Sequence, residues 1–309
     1  MNGSREAVEV GRDEPVIEAA LATLKDRLKQ VRRRFSQAVR KSEENAERIH
    51  QLRVATRRAS AALDLYRDFV PRKHAKKMGT QLKHIRRAAG RVRDCDLLLS
   101  RFSSGAAQAE SPSFIKRIRS LRREAYGALR HLHKEHIPSK RLKRRTKALI
   151  RRTRQKAERR SQPTVQTFKD WAPDRLHVFL RDFFQAAAPD LRDFAQLHRF
   201  RIRSKALRYA MELVATTFPP EFKEELYPDI ERLQMLLGDI NDESNFLSSV
   251  GKRLANNVKL SDVDGLKHRM AQEQHALDDL EREFAGWWTA ERREALKRRF
   301  DEITAVRAA

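Results

Sequence analysis

The sequence predicts an all-α fold made of two homologous halves, each an antiparallel four-helix bundle. Three observations carry this. Apolar residues recur at alternating intervals of three and four in successive long segments, whereas strict apolar–polar alternation over strand lengths is hard to find. The 309 residues include only ten glycines and ten prolines, too few for a turn-rich β architecture. Sliding the chain against itself by 148 residues brings many features into register without a gap. Leu28 meets Leu176, Phe35 meets Phe183, His50 meets His198 and Arg53 meets Arg201. Pro71 meets Pro219, Gly90 meets Gly238, Asp94 meets Asp242 and Leu129 meets Leu277.

The elements follow in order. Residues 1–14 are polar, lack the apolar centre of a signal peptide, and read as a disordered N-terminus. Ile17, Leu21, Leu24, Leu28, Val31 and Phe35 form an amphipathic stripe of about five turns. A helix over HQLRVATRR follows, then LKHIRRAAGRVRDCDLL, whose apolar seam is Leu82, Ile85, Ala89 and Val92. Mid-helix Gly90 and Gly238 each cost about 1 kcal/mol relative to Ala, which close helix packing would offset. Residues 140–160, KRLKRRTKALIRRTRQKAERR, hold 12 basic residues and one acid. The break at Ser161-Gln162-Pro163 divides a first half, 15–160, from a second, 164–305. Each half holds four main helices and a shorter fifth, the joints falling at Pro71, Pro112, Pro138, Pro173, Pro189 and Pro219-Pro220. Leu266, Met270, Leu277, Leu280 and Phe284 supply the last long stripe, and Trp287 and Trp288 read as core.

Charge separates the halves. The chain carries 67 Lys and Arg against 42 Asp and Glu. Residues 1–160 hold a net +27 and residues 161–309 a net −2. Such an imbalance points to a polyanionic partner without saying which. No apolar run approaches the roughly 20 residues that span a bilayer, so the reading is a soluble, cytoplasmic protein with no membrane partner. Cys95 is the sole cysteine and sits in an amphipathic helix, which rules out an intrachain disulfide and a multi-cysteine metal site.

The residues that repeat between halves are the site candidates. His50, Arg53 and Arg57 lie at i, i+3 and i+7 of one helix; His198, Arg201, Lys205 and Arg208 extend the equivalent stripe to i+10. Like charges stacked on one stripe repel, by a few tenths of a kcal/mol per pair, and an anion relieves that repulsion. Arg forks suit phosphate bidentately, while Lys acts as a point charge. The next helix of the first half adds Lys83, Arg86, Arg87 and Arg93. Asp94 and Asp242, also repeated, read as anchors for an Arg or as residues that orient the helix, and not as ligand contacts.

These motifs carry a resemblance. HQLRVATRR at 50–58 with AGRVRDCDLLL at 89–99, and HRFRIRSKALRY at 198–209 with LLGDINDESNFL at 236–247, resemble the CHAD family, the conserved histidine α-helical domain. The resemblance covers about residues 15–305 and implies two four-helix bundles related by an internal pseudo-two-fold axis, with inorganic polyphosphate as partner on a basic, His-containing surface between them and association to polyphosphate granules. Carried over residue by residue, it marks His50, Arg53, Arg57, Arg58 and Arg93, with His198, Arg201, Lys205 and Arg208. Ala89 departs from the family's usual Leu, and Asn241-Asp242 stands where an Arg-Asp pair would repeat. The Glu-x-Glu-x-Lys hallmark of a fused triphosphate tunnel enzyme is missing: Glu281-Arg282-Glu283 is followed by Phe284 and Ala285.

Nucleic acid is the rival partner, because the 140–160 segment could clamp phosphates without reading sequence. That run has no aromatic residue on which bases could stack. No cofactor is expected. His131 and His133 stand about 200° apart on a helix, a poor metal site, and no nucleophile, base and oxyanion hole come together in the sequence. The expectation is a binding protein and not an enzyme.

Overall fold

The computed structural model describes residues 10–40, 46–102, 112–159, 166–187, 191, 193–254 and 260–305. The sequence folds into helices because its apolar residues repeat with the α period. In α1 (Val16–Val39) the buried face is Val16, Ala20, Leu24, Leu28, Val31 and Phe35. The stripe thus begins at Val16, and Ile17 is only half-buried. Burying each large side chain on such a face contributes about 1.5–3 kcal/mol relative to exposure. α2 (Ala46–Leu65) and α3 (Arg72–Phe102) follow, with Leu82, Ile85, Ala89 and Val92 all buried as the spacing predicts. Next come α4 (Pro112–His136), which starts on its proline, and α5 (Arg141–Glu158).

The second set is α6 (Phe168–Ala187), α7 (Phe194–Val214), α8 (Tyr227–Leu254), α9 (Leu260–Trp287) and α10 (Ala290–Ala305). Asp193 caps α7, its side chain accepting from the Ala195 N–H. A 3₁₀ turn at Ala215–Thr217 and a π-helical turn at Phe222–Leu226 lead into α8. Among the described residues there are ten α-helices, and the only β feature is a bridge between Pro15 and Thr167. α7 and α9 start 148 residues after α2 and α4, the offset found in the sequence. Pro173, read as a joint, lies inside α6, which continues through it. Ser161-Gln162-Pro163 and Pro189 lie outside the described residues.

Residues 1–9 also lie outside them. Residues 10–14, grouped by the sequence with an unstructured N-terminus, are instead tied to the start of α6. The Phe168 and Lys169 N–H groups donate to the Glu14 and Arg12 carbonyls, Lys169 pairs with Asp13 at 2.7 Å, and Val10 is buried.

The packing puts α2 between α1 and α3 in the first half, and α7 beside α6 and α8 in the second. Across the middle, equivalent helices meet: α2 against α7, α1 against α6 and α4 against α9. One apolar cluster runs through both halves, from Leu28 and Phe35 to Phe183, Phe200 and Phe300. Tyr66 at the end of α2 stacks on Trp171 of α6 at 5.3 Å. The buried Arg175 side chain of α6 donates to the carbonyls of Asp64 and Leu65, where the α2 dipole is negative. A smaller cluster at the far ends of α3, α4, α8 and α9 encloses Cys95, Phe102, Phe114 and Phe246, so Cys95 is buried as the sequence suggests. Trp288 packs with Phe183 and Phe200 in the main core.

Within the basic segment, Arg141–Glu158 forms a docked helix, α5. Leu142 and Leu149 enter the core. Arg145 donates to Gln81, Arg154 holds Glu18 with both Nη atoms, and Lys156 reaches the Asp68 carbonyl.

Candidate functional site

Where α2 and α3 face α7 and α8, a cavity of about 680 Å³ opens. The helix period aims one stripe of each helix into it. α2 contributes His50, Arg53 and Arg57; α7 contributes His198, Arg201 and Lys205, with Phe194 at its start. α3 adds Arg93, Asp94, Leu97, Leu98 and Arg101, and α8 adds Gly238, Asn241, Asp242, Asn245, Phe246 and Ser249. Sixteen of these eighteen residues form eight pairs separated by 148 positions, from His50 with His198 to Arg101 with Ser249. The two walls are therefore the same stretch of the repeat, used twice.

Seven of the sequence-predicted residues meet here: His50, Arg53, Arg57, Arg93, His198, Arg201 and Lys205. Their electrostatics are those of a site short of anions. Arg57, Arg93 and Lys205 form no ion pair with a carboxylate among the described residues. The Nε of Arg201 is buried and has no hydrogen-bond partner. Burial, with Arg201 and Arg57 beside it, pulls the Lys205 ammonium down to about 7. Burial also holds the His50 imidazole below its ordinary value, and Arg93, Arg57 and Arg53 push the same way against Glu47. Arg53 and Arg201 are both lowered, chiefly by burial. Asp94 opposes that shift at Arg53 and Asp242 does so at Arg201, and both aspartates also line the cavity.

The glycines divide. A methyl group added to Gly90 would collide with Nη1 of Arg53, so the missing side chain is what lets that guanidinium lie across α3. A Cβ on Gly238 would meet nothing within 4 Å, and the residue lines the cavity. Close helix packing, expected at both, is absent at Gly238.

Five sequence-predicted residues are not brought into the cavity. Arg58 crosses from α2 to α7, where its Nε donates to Glu212 at 3.0 Å. Arg208 joins the same network, donating to the Tyr227 hydroxyl at 3.2 Å and facing Glu212 at 3.8 Å. Arg86 lies at the flank, half-buried, with Nη1 at 3.4 Å from the Ser60 hydroxyl. Lys83 and Arg87 are exposed on another face of α3. Arg58 thus fastens the halves together, and Arg208 holds α7 to α8 within the second half. Arg58→Ala removes the partner that the half-buried Glu212 has across the halves while Tyr227 and Arg208 remain beside it, and we expect a loss of about 1 kcal/mol of stability. Denaturant unfolding checks this, and polyanion affinity should change much less than stability.

The cavity residues that escaped the sequence reading are mainly on α3 and α8. Arg101 is the largest of them, held by Glu243 at 2.6 Å and Glu273 at 3.1 Å, and its guanidinium lies 4.6 Å from the Phe246 ring centre. Continuing the α3 stripe from Arg93 and Asp94 by one and two turns would have reached Leu97, Leu98 and Arg101.

A family model described as the CHAD domain matches residues 22–245. The chain belongs to the CHAD family. The match spans α1 to most of α8 and contains every cavity residue except Phe246 and Ser249. The crystal structure of the CHAD domain from the plant Ricinus communis superposes with a TM-score of 0.69 at 20% identity, covering 90% of this chain and 94% of that one. PptA from Streptomyces chartreusis superposes at 0.56 with 16% identity, over 89% of this chain and 99% of PptA. At these identities the likeness establishes a CHAD-like, all-α fold. No curated protein matches the chain. Among the described residues no helix is long and apolar enough to cross a membrane, and no cluster of three or more His, Cys, Asp or Glu could hold a metal ion.

Proposed function

We propose that this CHAD protein binds inorganic polyphosphate in the cavity between its halves. The observation that carries the reading is the pairing of the walls: His50 with His198, Arg53 with Arg201 and Arg57 with Lys205 converge on one space. A linear chain of phosphates lying there meets cations on both sides, and its negative charge removes the repulsion that the free protein bears. Arginine forks take the phosphate oxygens bidentately, and Lys205 acts as a point charge.

In this proposal residues 15–305 form one domain, with halves 15–160 and 164–305 related by a pseudo-two-fold axis through the cavity. A four-helix antiparallel bundle in each half carries a fifth helix on its flank. Arg86 backs the site electrostatically, standing beside Arg57, while Lys83 and Arg87 lie outside it. No chemical step is assigned to the cavity: the protein acts by holding polyphosphate, and this is what would bring it to polyphosphate granules in the cytoplasm.

The test is a competition. Labelled long-chain polyphosphate is challenged with duplex DNA and RNA at matched phosphate concentration, near physiological salt. A duplex is too wide for a cavity of about 680 Å³, so we expect polyphosphate to stay bound. Equal displacement by nucleic acid would assign the binding to overall charge and remove the cavity from the account.

A further inference from the structure

We propose that the groove between α1 and α5 is a second polyphosphate-binding site, which makes the protein bivalent for phosphate chains. This rests on the cavity reading only in taking polyphosphate as the ligand. The groove shares no lining residue with the cavity, and neither of its helices contributes to the cavity. Lys25, Lys29 and Arg32 stand along α1 at i, i+4 and i+7, and Lys143 and Lys147 face them from α5. Leu28, Leu142 and Thr146 form the floor.

The cations stand unbalanced, because among the described residues no carboxylate lines the groove. α5 is seated by Leu142 and Leu149, and its ion pair with the protein, Arg154 with Glu18, lies outside the groove. Docking α5 therefore presses two cationic rows together across a helix-packing distance of about 8–10 Å. Like charges so placed oppose the docking, and an anion laid between them reverses the sign. The scaffold does not demand these residues. At the equivalent positions of the second half stand Pro173, His177, Leu180, Glu291 and Ala295. The helices are repeated and the cations are not.

The shape fits a strand. Lysine stems line the groove sides, and a chain lying along the groove passes between the two cationic rows. Point charges suit a ligand whose phosphates take no fixed register. Lys25, Lys29, Lys143 and Lys147 are exposed, so their replacement leaves the core intact. Two sites on one protein would let it link separate chains, and a chain long enough to span both would gain affinity through effective concentration.

The experiment uses three forms of the full chain: native, Lys25→Gln/Lys29→Gln/Lys143→Gln/Lys147→Gln, and Arg53→Ala/Arg201→Ala. Calorimetry with a short polyphosphate should give two chains bound per native protein and one per variant of either kind. With long polyphosphate, turbidity from cross-linked chains should appear for the native protein and vanish in both variants. Native protein that binds one short chain, or a quadruple variant that still binds two, would overturn the second site while leaving the cavity reading untouched. If the quadruple variant loses duplex DNA binding but keeps both polyphosphate sites, the groove belongs to nucleic acid and the proposal fails. If the cavity variant keeps two sites and the quadruple variant keeps one, the groove stands and the cavity reading is the one that fails.

Discussion

Replacing Arg53 and Arg201 together with alanine lowers polyphosphate affinity at the cavity by about a hundredfold or more. The two guanidinium groups occupy equivalent places on opposite walls, each half-buried and each beside a repeated aspartate. A hydrogen bond from a charged donor is worth about 1.5–3 kcal/mol, so losing one from each wall removes roughly 3–6 kcal/mol. Every 1.4 kcal/mol is about tenfold in the dissociation constant. Stability should not follow affinity down. Both arginines are held below their ordinary pKa by burial and by like charges, so their removal relieves the fold of a cost. Asp94 and Asp242 are exposed and fall back on water. The measurement is a titration with short chains beside a melting curve for the same variant. An unchanged affinity with an intact fold would take these arginines out of the site.

The second large effect is on pH. Lys205 titrates at about 7 in the free protein, so near neutrality its charge is only partly present. Phosphate oxygens beside it favour the ammonium, which raises its pKa in the complex. The complex then binds more protons than the free protein between the two values. Affinity is therefore greatest below about 7 and declines as pH rises toward the higher value of the complex. Between pH 6.5 and 8.5 we expect about a twentyfold loss. His50, also depressed, adds proton uptake at still lower pH. Long chains keep the ligand's own terminal phosphates from contributing to the profile. Lys205→Met should flatten the profile above pH 7. It should also raise the melting temperature below that pH: folding lowers the lysine's pKa, so the charged form costs stability there, and the cost fades as pH rises. A native profile that stays level from 6.5 to 8.5 would contradict the role given to Lys205.

Much of this was legible in the sequence, and the reasons it was not complete are physical. The helices could be read because one face of each is apolar with the α period, as Leu82, Ile85, Ala89 and Val92 show. The meeting of Arg53 with Arg201 could be read because the 148-residue offset preserved the residue type. Asn241 and Ser249 escaped because the repeat kept their positions and changed their chemistry: they stand opposite Arg93 and Arg101. Arg58 and Arg208 were indistinguishable from cavity residues on a basic stripe, since Glu212 and Tyr227, which hold them, are set by tertiary packing. The run at 140–160 reads in the sequence only as a clamp for phosphates, because its docking depends on two leucines and on partners such as Glu18 and Gln81 far away in the chain. Its cationic groove exists only when α1 lies alongside.

The most direct measurement is a crystal structure of the protein with a polyphosphate of about ten phosphates. The account predicts density for consecutive phosphates inside the cavity, with oxygens within hydrogen-bond distance of Arg53 and Arg57 on one wall and of Arg201 and Lys205 on the other. A structure in which the chain is ordered elsewhere and the cavity holds only water would contradict it.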